Sequence, residues 1–360
     1  MDSSGNFIVV WTSQAQDGSG FGIFGQRYAI SGISLGQEFR VNTFTTNDQS
    51  GPSVAADSSG KYVVVWQSSG QDGPGAGIFG QRYGASGSPL GPEFRVNTLT
   101  ANDQRAPSLA GDNGGNFVVV WYNYGQGGGI FGQRYASSGS PVGTEFRVNT
   151  YTTGQDVLPA VAMDPSGNFV VAWTRWAGGI DIFGQRYDST GAPLGSEFRV
   201  NSYTPGYQSR PDIAADSSGN FVVVWHRFYF VGDIFGQRYA SSGTPLGPEF
   251  QVTTSPGYQY LPSVASDAAG NFVVVWQGST LDGQNVFGQR YAGSGAPLGG
   301  EFRVNTYTTA DQRTPNVTSS PLGQFIVVWD SQDQDGSGDG VFGQRYSPIL
   351  PVELMHFGVE

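Results

Sequence analysis

The chain carries little that could do acid–base or nucleophilic chemistry. Its only histidines are His226 and His356, and cysteine is absent. No Gly-x-Ser-x-Gly elbow and no zinc-type histidine spacing occurs. Asp and Glu are plentiful enough for a carboxylate pair, but no pair is singled out, so the expectation is that the chain is not an enzyme. Binding chemistry is better represented. Three connections hold Tyr122 and Tyr124, then Arg175 and Trp176, then His226, Arg227, Phe228, Tyr229 and Phe230. Exposed rings beside arginine form binding hot spots, and their flat apolar faces suit stacking on a sugar. The competing reading is that some of them fold inward as packing. One metal pattern exists: "DQDGSGDG", residues 333–340, sets Asp333, Asp335, Ser337 and Asp339 at alternate positions. Oxygen ligands at every second residue of a Gly-kinked loop suit calcium. The matching first connection has Ala15 and Phe21 where the first and last ligands would be. No bidentate Glu follows downstream either, so a plain acidic loop is the alternative.

A repeated scaffold must position these residues. Gly-Gln-Arg-Tyr begins at Gly25, Gly80, Gly132, Gly184, Gly236, Gly288 and Gly343. A Val-rich run ends at Trp11, Trp66, Trp121, Trp173, Trp225, Trp276 and Trp329. Length varies almost wholly between each Trp and the next Gly-Gln-Arg-Tyr. Each copy contains four strand-like pieces. In the copy that starts at Pro211 these are A, "PDIAAD"; B, "FVVVW"; C, "IFGQRY"; and D, "EFQVT". Piece B is β-branched and apolar on both faces, as in a strand buried on both sides. In piece D, Phe250 and Val252 alternate with polar neighbours, the period-2 pattern of a strand with one wetter face. "SSGN" and "SSGTPLG" are turn signals, and no segment has helical periodicity with caps.

Four strands in about 52 residues, seven times over, predict an all-β chain. The expected form is a seven-bladed β-propeller of four-stranded antiparallel blades, with A innermost. A β-helix is the alternative. The whole chain, 1–360, reads as a single propeller domain. Its blades fall near 2–42, 52–97, 107–149, 159–201, 211–253, 262–305 and 315–360. The opening "MDSSGNF" aligns with "MDPSGNF" at Met163, so blade 1 lacks its innermost strand. "HFGVE" at the other end is expected to fill strand D of blade 7, with Phe357 in the place of Phe39. The tally is 27 strands.

Composition narrows the partners. The net charge is −11, and Lys61 is the single lysine. Phosphate-backbone binding needs a basic footprint, so no nucleic acid is expected. No apolar run approaches the roughly 20 residues that cross a bilayer, so no membrane insertion is expected. Gly contributes 55 residues, about twice the usual share of roughly 7%, as many tight turns require. Without cysteine there is no disulfide and no thiolate metal site.

Pro-x-x-Ala followed by Asp-x-x-Gly and a buried strand resembles the Tol-type periplasmic propellers. "GIFGQRY…PLG.EFRVNTYTT" is similar to a repeat of large exported bacterial proteins. "LPVELMHFGVE" is similar to the stretch that precedes type IX secretion sorting domains, although no such domain is present. These resemblances imply export to the cell surface or beyond, and a chain that belongs to a longer protein. They name no activity.

The recurring residues read as scaffold. The Arg of piece C, such as Arg238, should pair with the Glu of piece D, such as Glu249, across two strands. Seven equal anion sites are the alternative. The Trp should be buried, with the Gly of piece C leaving room for its ring. Turns A–B and C–D share one face and scarcely vary. Loops B–C and D–A share the other, where a rigid scaffold displays variable residues. The expectation is a lectin-like module that binds carbohydrate through that second face and needs no cofactor, calcium excepted. The alternative is an adhesive surface scaffold that takes a strand from a neighbouring chain into blade 1.

Overall fold

The computed structural model describes residues 1–125, 128–336 and 338–347, and the backbone of 351–357. The fold class is the expected one: all-β, in seven β-propeller blades. Among the described residues there are 27 strands and no helix. Blade 1 is a three-stranded sheet of B (Phe7–Gln14), C (Phe21–Tyr28) and D (Phe39–Arg40). Its strand B has a ladder partner on one side only, strand C. The chain divides into two compact units, Met1–Ala177 with Gly184–Phe198, and Gly178–Phe183 with Arg199–Glu360. The first holds blades 1–3 and strands A and B of blade 4. The second holds blades 5–7.

Blade 5 shows how sequence makes a blade. Strand A (Tyr207–Ala215), B (Phe221–Tyr229), C (Val231–Tyr239) and D (Phe250–Gln251) pair in that order, antiparallel. The A–B turn is set by Asp216, whose Oδ1 accepts from the amides of Ser218 and Asn220 at 2.8 and 2.9 Å. Such an Asx turn is local chemistry, and it recurs at Asp57, Asp112, Asp164 and Asp267. Strand B is buried from Phe221 to Trp225, as its unbroken apolar run requires. Within each unit, successive A strands pack side by side, which places A innermost.

Strand A carries a feature that sequence reading missed. Its ladder skips register at Ser50/Ser53, Arg105/Ser108, Ser209/Asp212, Tyr260/Ser263 and Arg313/Asn316. The residue before the proline at each skip has left-handed φ: Ala106 at 47°, Arg210 at 54°, Leu261 at 53° and Thr314 at 49°. Pro cannot donate to the ladder, so the strand bulges there.

The Trp residues are buried as expected, with Trp66, Trp173 and Trp225 at 0% exposure. The reason given for the neighbouring Gly needs correction. A Cβ on Gly236 would lie 2.7 Å from Cζ of Phe250, and one on Gly80 2.8 Å from Cζ of Phe94. The bare backbone therefore accommodates the Phe of strand D, directly opposite in the ladder, rather than the Trp.

The expected Arg–Glu pair also does not form. Arg238 donates to the carbonyls of Gly293 at 2.6 Å and Ser294 at 2.5 Å, in the C–D turn of the following blade. Arg82 and Arg134 do the same to Ser137 and Ser138, and to Ser189 and Thr190. Glu249 instead accepts from the amide and hydroxyl of Ser202 at 2.8 and 3.0 Å, on the preceding blade's D–A loop. Glu93 and Glu145 repeat this with Thr43 and Thr98. Both side chains act between blades, one reaching forward and one back.

Blade 7 gains a strand D, Pro351–Phe357, but in another register. Met355 lies opposite Gly343 and Phe357 opposite Val341, whereas Phe39 lies opposite Gly25. The expected equivalence of Phe357 with Phe39 is therefore off by two residues.

Candidate functional site: aromatic loops of the second unit

The B–C hairpin of blade 5 turns at its tip through Phe230. Tyr229 and Val231 are paired, so Phe230 alone closes the turn, at φ 69° and 81% exposed. A bulky residue in the left-handed region is an outlier that a Gly would avoid. Phe228 and Tyr229 flank it, 39% and 46% exposed. The Tyr229 and Phe230 rings meet edge to face, with centroids 4.4 Å apart.

Two D–A loops close against these hairpins. Each contains Pro-Gly-Tyr: Pro205–Tyr207 and Pro256–Tyr258. Gly206, at φ 81°, approaches so closely that a Cβ would lie 2.4 Å from the Phe228 carbonyl. Gly257 stands likewise at 2.7 Å from the Ser279 carbonyl of blade 6. The glycines thus set the loops down on the hairpins and deliver Tyr207 and Tyr258, 57% and 50% exposed. Tyr258 stacks on Phe228 at 6.2 Å and 13°. Tyr203 meets Tyr229 edge to face at 6.4 Å. The result is two groups of exposed rings on one hairpin, Phe228 with Tyr258 and Tyr229 with Tyr203 and Phe230, which the alternation of strand B turns to opposite sides.

Arg227 lies beneath the Tyr203–Tyr229 group. Its guanidinium lies 4.8 Å from the Tyr203 ring centre and 3.4 Å from that of Phe235, and 3.9 Å from Glu249 Oε1. His226 lies between Phe228 and Tyr260, each ring centre 6.4 Å away. Burial, with Arg210 adding repulsion, lowers the His226 pKa from 6.5 to about 4. The imidazole is neutral at physiological pH. Tyr260 donates to Gln284 Oε1 at 2.7 Å and accepts from Gln277 Nε2 at 3.0 Å.

That depressed pKa has a stability consequence. Between about 4 and 6.5 the unfolded chain takes up a proton at His226 that the folded chain refuses. The stability contribution is therefore complete above 6.5 and lost as pH falls through this window. His226→Gln is expected to melt closer to, or above, wild type as pH is lowered from 7 toward about 4. Thermal melts of both proteins across that range check it, and parallel profiles would refute it.

The first unit repeats part of the design 52 residues earlier. Arg175 lies 4.8 Å from the ring centre of Tyr151, as Arg227 does from Tyr203. Trp176 is 50% exposed, and Gly154 is set against its carbonyl. Arg175 itself is no ligand residue, contrary to the sequence expectation. It is buried, with Nε and Nη2 donating to Asp156 at 2.8 and 2.7 Å and Nη1 to Glu197. Burial works against its charge, but these two carboxylates outweigh burial and hold it charged. Tyr124 is exposed beside Arg105, 5.7 Å from its ring centre. Tyr122 is half-buried opposite Arg105 in the ladder.

Tyr203, Tyr207, Tyr258 and Tyr260 were not among the expected site residues. The signal for Tyr207 and Tyr258 was the departure of "NSYTPGYQ" and "TTSPGYQ" from the common "NTYTTADQ", on both sides of the aromatic hairpin. In the calcium candidate, Ser337 lies outside the described residues. Asp333 spends Oδ1 on the Gly338 amide at 3.0 Å, within its own turn. Asp17 and Asp72, which match Asp335, accept from Asn42 and Asn97 at 3.0 and 2.9 Å. Among the described residues no group of three or more His, Cys, Asp or Glu could hold a metal ion.

No family model matches the chain, and no curated protein matches it. Solved structures do. A polysaccharide lyase of family PL25, an ulvan lyase, matches with TM-score 0.61 and 11% identity, over 95% of this chain and 92% of that one. A second polysaccharide lyase matches with TM-score 0.59 and 9% identity, over 98% and 88%. An α-L-arabinofuranosidase from Fusarium graminearum matches with TM-score 0.54 and 12% identity, over 82% and 92%. At these identities the likeness is one of fold. It nevertheless corrects the expectation of no catalysis. Enzymes are built on this fold, so a shortage of histidine and cysteine does not exclude a reaction here.

Proposed function

We propose that the chain recognises a polysaccharide through the aromatic loops of its second unit. The carrying observation is the stacked, exposed Phe228–Tyr258 pair; the same hairpin carries Tyr229 and the strained, 81% exposed Phe230 at its tip. Exposed rings in this density would cost solubility without a ligand to cover them. Stacked and edge-on rings present apolar faces matched to the C–H faces of sugars, with tyrosine hydroxyls at the rim for sugar hydroxyls. The structural likeness to saccharide-acting enzymes supports the same substrate class.

The test is a screen of plant and algal polysaccharides by calorimetry, with product release followed in the same samples. At least one should bind. The double variant Phe228→Ala/Tyr258→Ala should then weaken binding by about tenfold or more, as for other aromatic hot spots. Both rings are exposed, so the fold should survive. Silence across the screen, or undiminished binding by the variant, would defeat the proposal. Product release would extend it from recognition to turnover.

A further inference from the structure

Clefts recur between neighbouring blades on the opposite face, where the A–B and C–D turns lie. Each is lined by the Arg and Tyr of strand C, a Leu of the C–D turn, and the Asp and Asn of an A–B turn. Between blades 2 and 3 the cavity volume is about 30 Å³, between blades 5 and 6 about 120 Å³, and between blades 6 and 7 about 220 Å³. The largest differs in chemistry as well as size.

In the two smaller clefts the arginine is spent. Arg82 and Arg238 reach across to the carbonyls of the next blade's C–D turn. That grip needs a glycine in the turn. A Cβ on Gly139 or Gly295 would come 2.5 Å from the guanidinium, and both have φ of 87°. The register that should serve Arg290 reads Ser347-Pro348-Ile349-Leu350, with Leu350 where the glycine belongs. Among the described residues Arg290 accordingly finds no hydrogen-bond or ionic partner for its guanidinium. The other charged group of the cleft, Asp267, is used by its own turn. Its Oδ1 accepts from the amides of Ala269 and Asn271 and its Oδ2 from Asn271 Nδ2.

The walls of this cleft are apolar. Leu298 is 43% exposed and Leu322 80% exposed, and Phe325 and Tyr291 are buried at its base. At the position of Leu322 the other A–B turns carry Ser4, Ser59, Gly114, Ser166, Ser218 and Ala269. The one large apolar side chain in that series stands at the cleft of Arg290. We propose that the cleft between blades 6 and 7 binds a carboxylate with an apolar tail, the head on Arg290 and the tail between Leu298 and Leu322. A guanidinium fork matches a carboxylate in two parallel hydrogen bonds.

Octanoate is the probe, with octanol and acetate as tail-only and head-only controls, read by thermal shift and calorimetry on the whole chain. Octanoate should bind and raise the melting temperature as its concentration is raised. Arg290→Gln should weaken octanoate binding by about tenfold and leave the ligand-free melting temperature unchanged. Arg238→Gln, which removes a grip between blades, should lower that temperature. Leu322→Ser should weaken octanoate without affecting stability. Equal binding of octanol would overturn the proposal, as would octanoate binding indifferent to Arg290→Gln. A loss of stability in Arg290→Gln equal to that in Arg238→Gln would show the arginine to be structural and overturn it too.

Discussion

Trp225→Ala is expected to lower the stability of the second unit by about 3–5 kcal/mol, the range for truncating a buried large aromatic. The ring is 0% exposed, at the end of the buried Phe221–Trp225 run of strand B. Its Nε1 donates to Gln208 Oε1 at 3.0 Å, and Gln208 is itself 0% exposed. Alanine would leave a cavity and an amide oxygen without its donor, and the two costs add. Trp225→Phe should fall between, filling much of the space but not the hydrogen bond. Urea unfolding followed by circular dichroism measures both. Wild-type stability in the alanine variant would mean that the Trp series is not the core. The shared residues would then need a different role.

The second large effect is expected at Arg175. Its carboxylate partners Asp156 and Glu197 have side chains only 1% and 9% exposed. Arg175→Ala removes the cation and leaves buried negative charge, which costs about 3–5 kcal/mol. The double variant Arg175→Met/Asp156→Leu should recover much of that, because an apolar replacement removes the uncompensated charge. Arg227→Ala provides the contrast. In blade 5 Gln208 stands where blade 4 has Asp156, and Arg227 is 3.9 Å from Glu249 with its side chain 20% exposed. Its loss should cost only about 0–1 kcal/mol. Equal losses at the two arginines would contradict this account. The Arg175 contribution is also acid-sensitive. Burial raises the Glu197 pKa, but the hydrogen bonds from Arg175 and Thr150 and the Arg175 charge together outweigh it and hold the pKa below the ordinary carboxylate value. Its contribution is complete above the ordinary carboxylate range and lost as pH falls through the lowered value.

These two residues mark what the sequence could and could not convey. The Trp positions were legible because burial imposes a residue type, and the type returns at a fixed interval. Strand number and order followed from the same periodicity. Arg175 was misread because its type and its loop match those of a binding residue. Asp156, 19 positions away on another strand, and Glu197, 22 positions away, hold it in buried ion pairs. The Arg238 contacts were hidden for a different reason. They end on backbone carbonyls 55 and 56 residues along the chain, and a carbonyl has no letter in a sequence. Tyr207 and Tyr258 are hard to read as site residues because Pro-Gly-Tyr is also ordinary turn chemistry. Their value depends on Gly206 and Gly257 pressing them against particular hairpins.

The forward reach of Arg238 and the backward reach of Glu249 have a consequence for how such a chain can change length. Blades 2, 3 and 5 each bring a donor for the successor and an acceptor for the predecessor. Duplicating or excising a whole copy leaves every joint matched, whereas a cut at any other spacing strands one half of a joint. Growth by entire cassettes is therefore the path of least resistance, and the recognition loops ride along as passengers free to diverge.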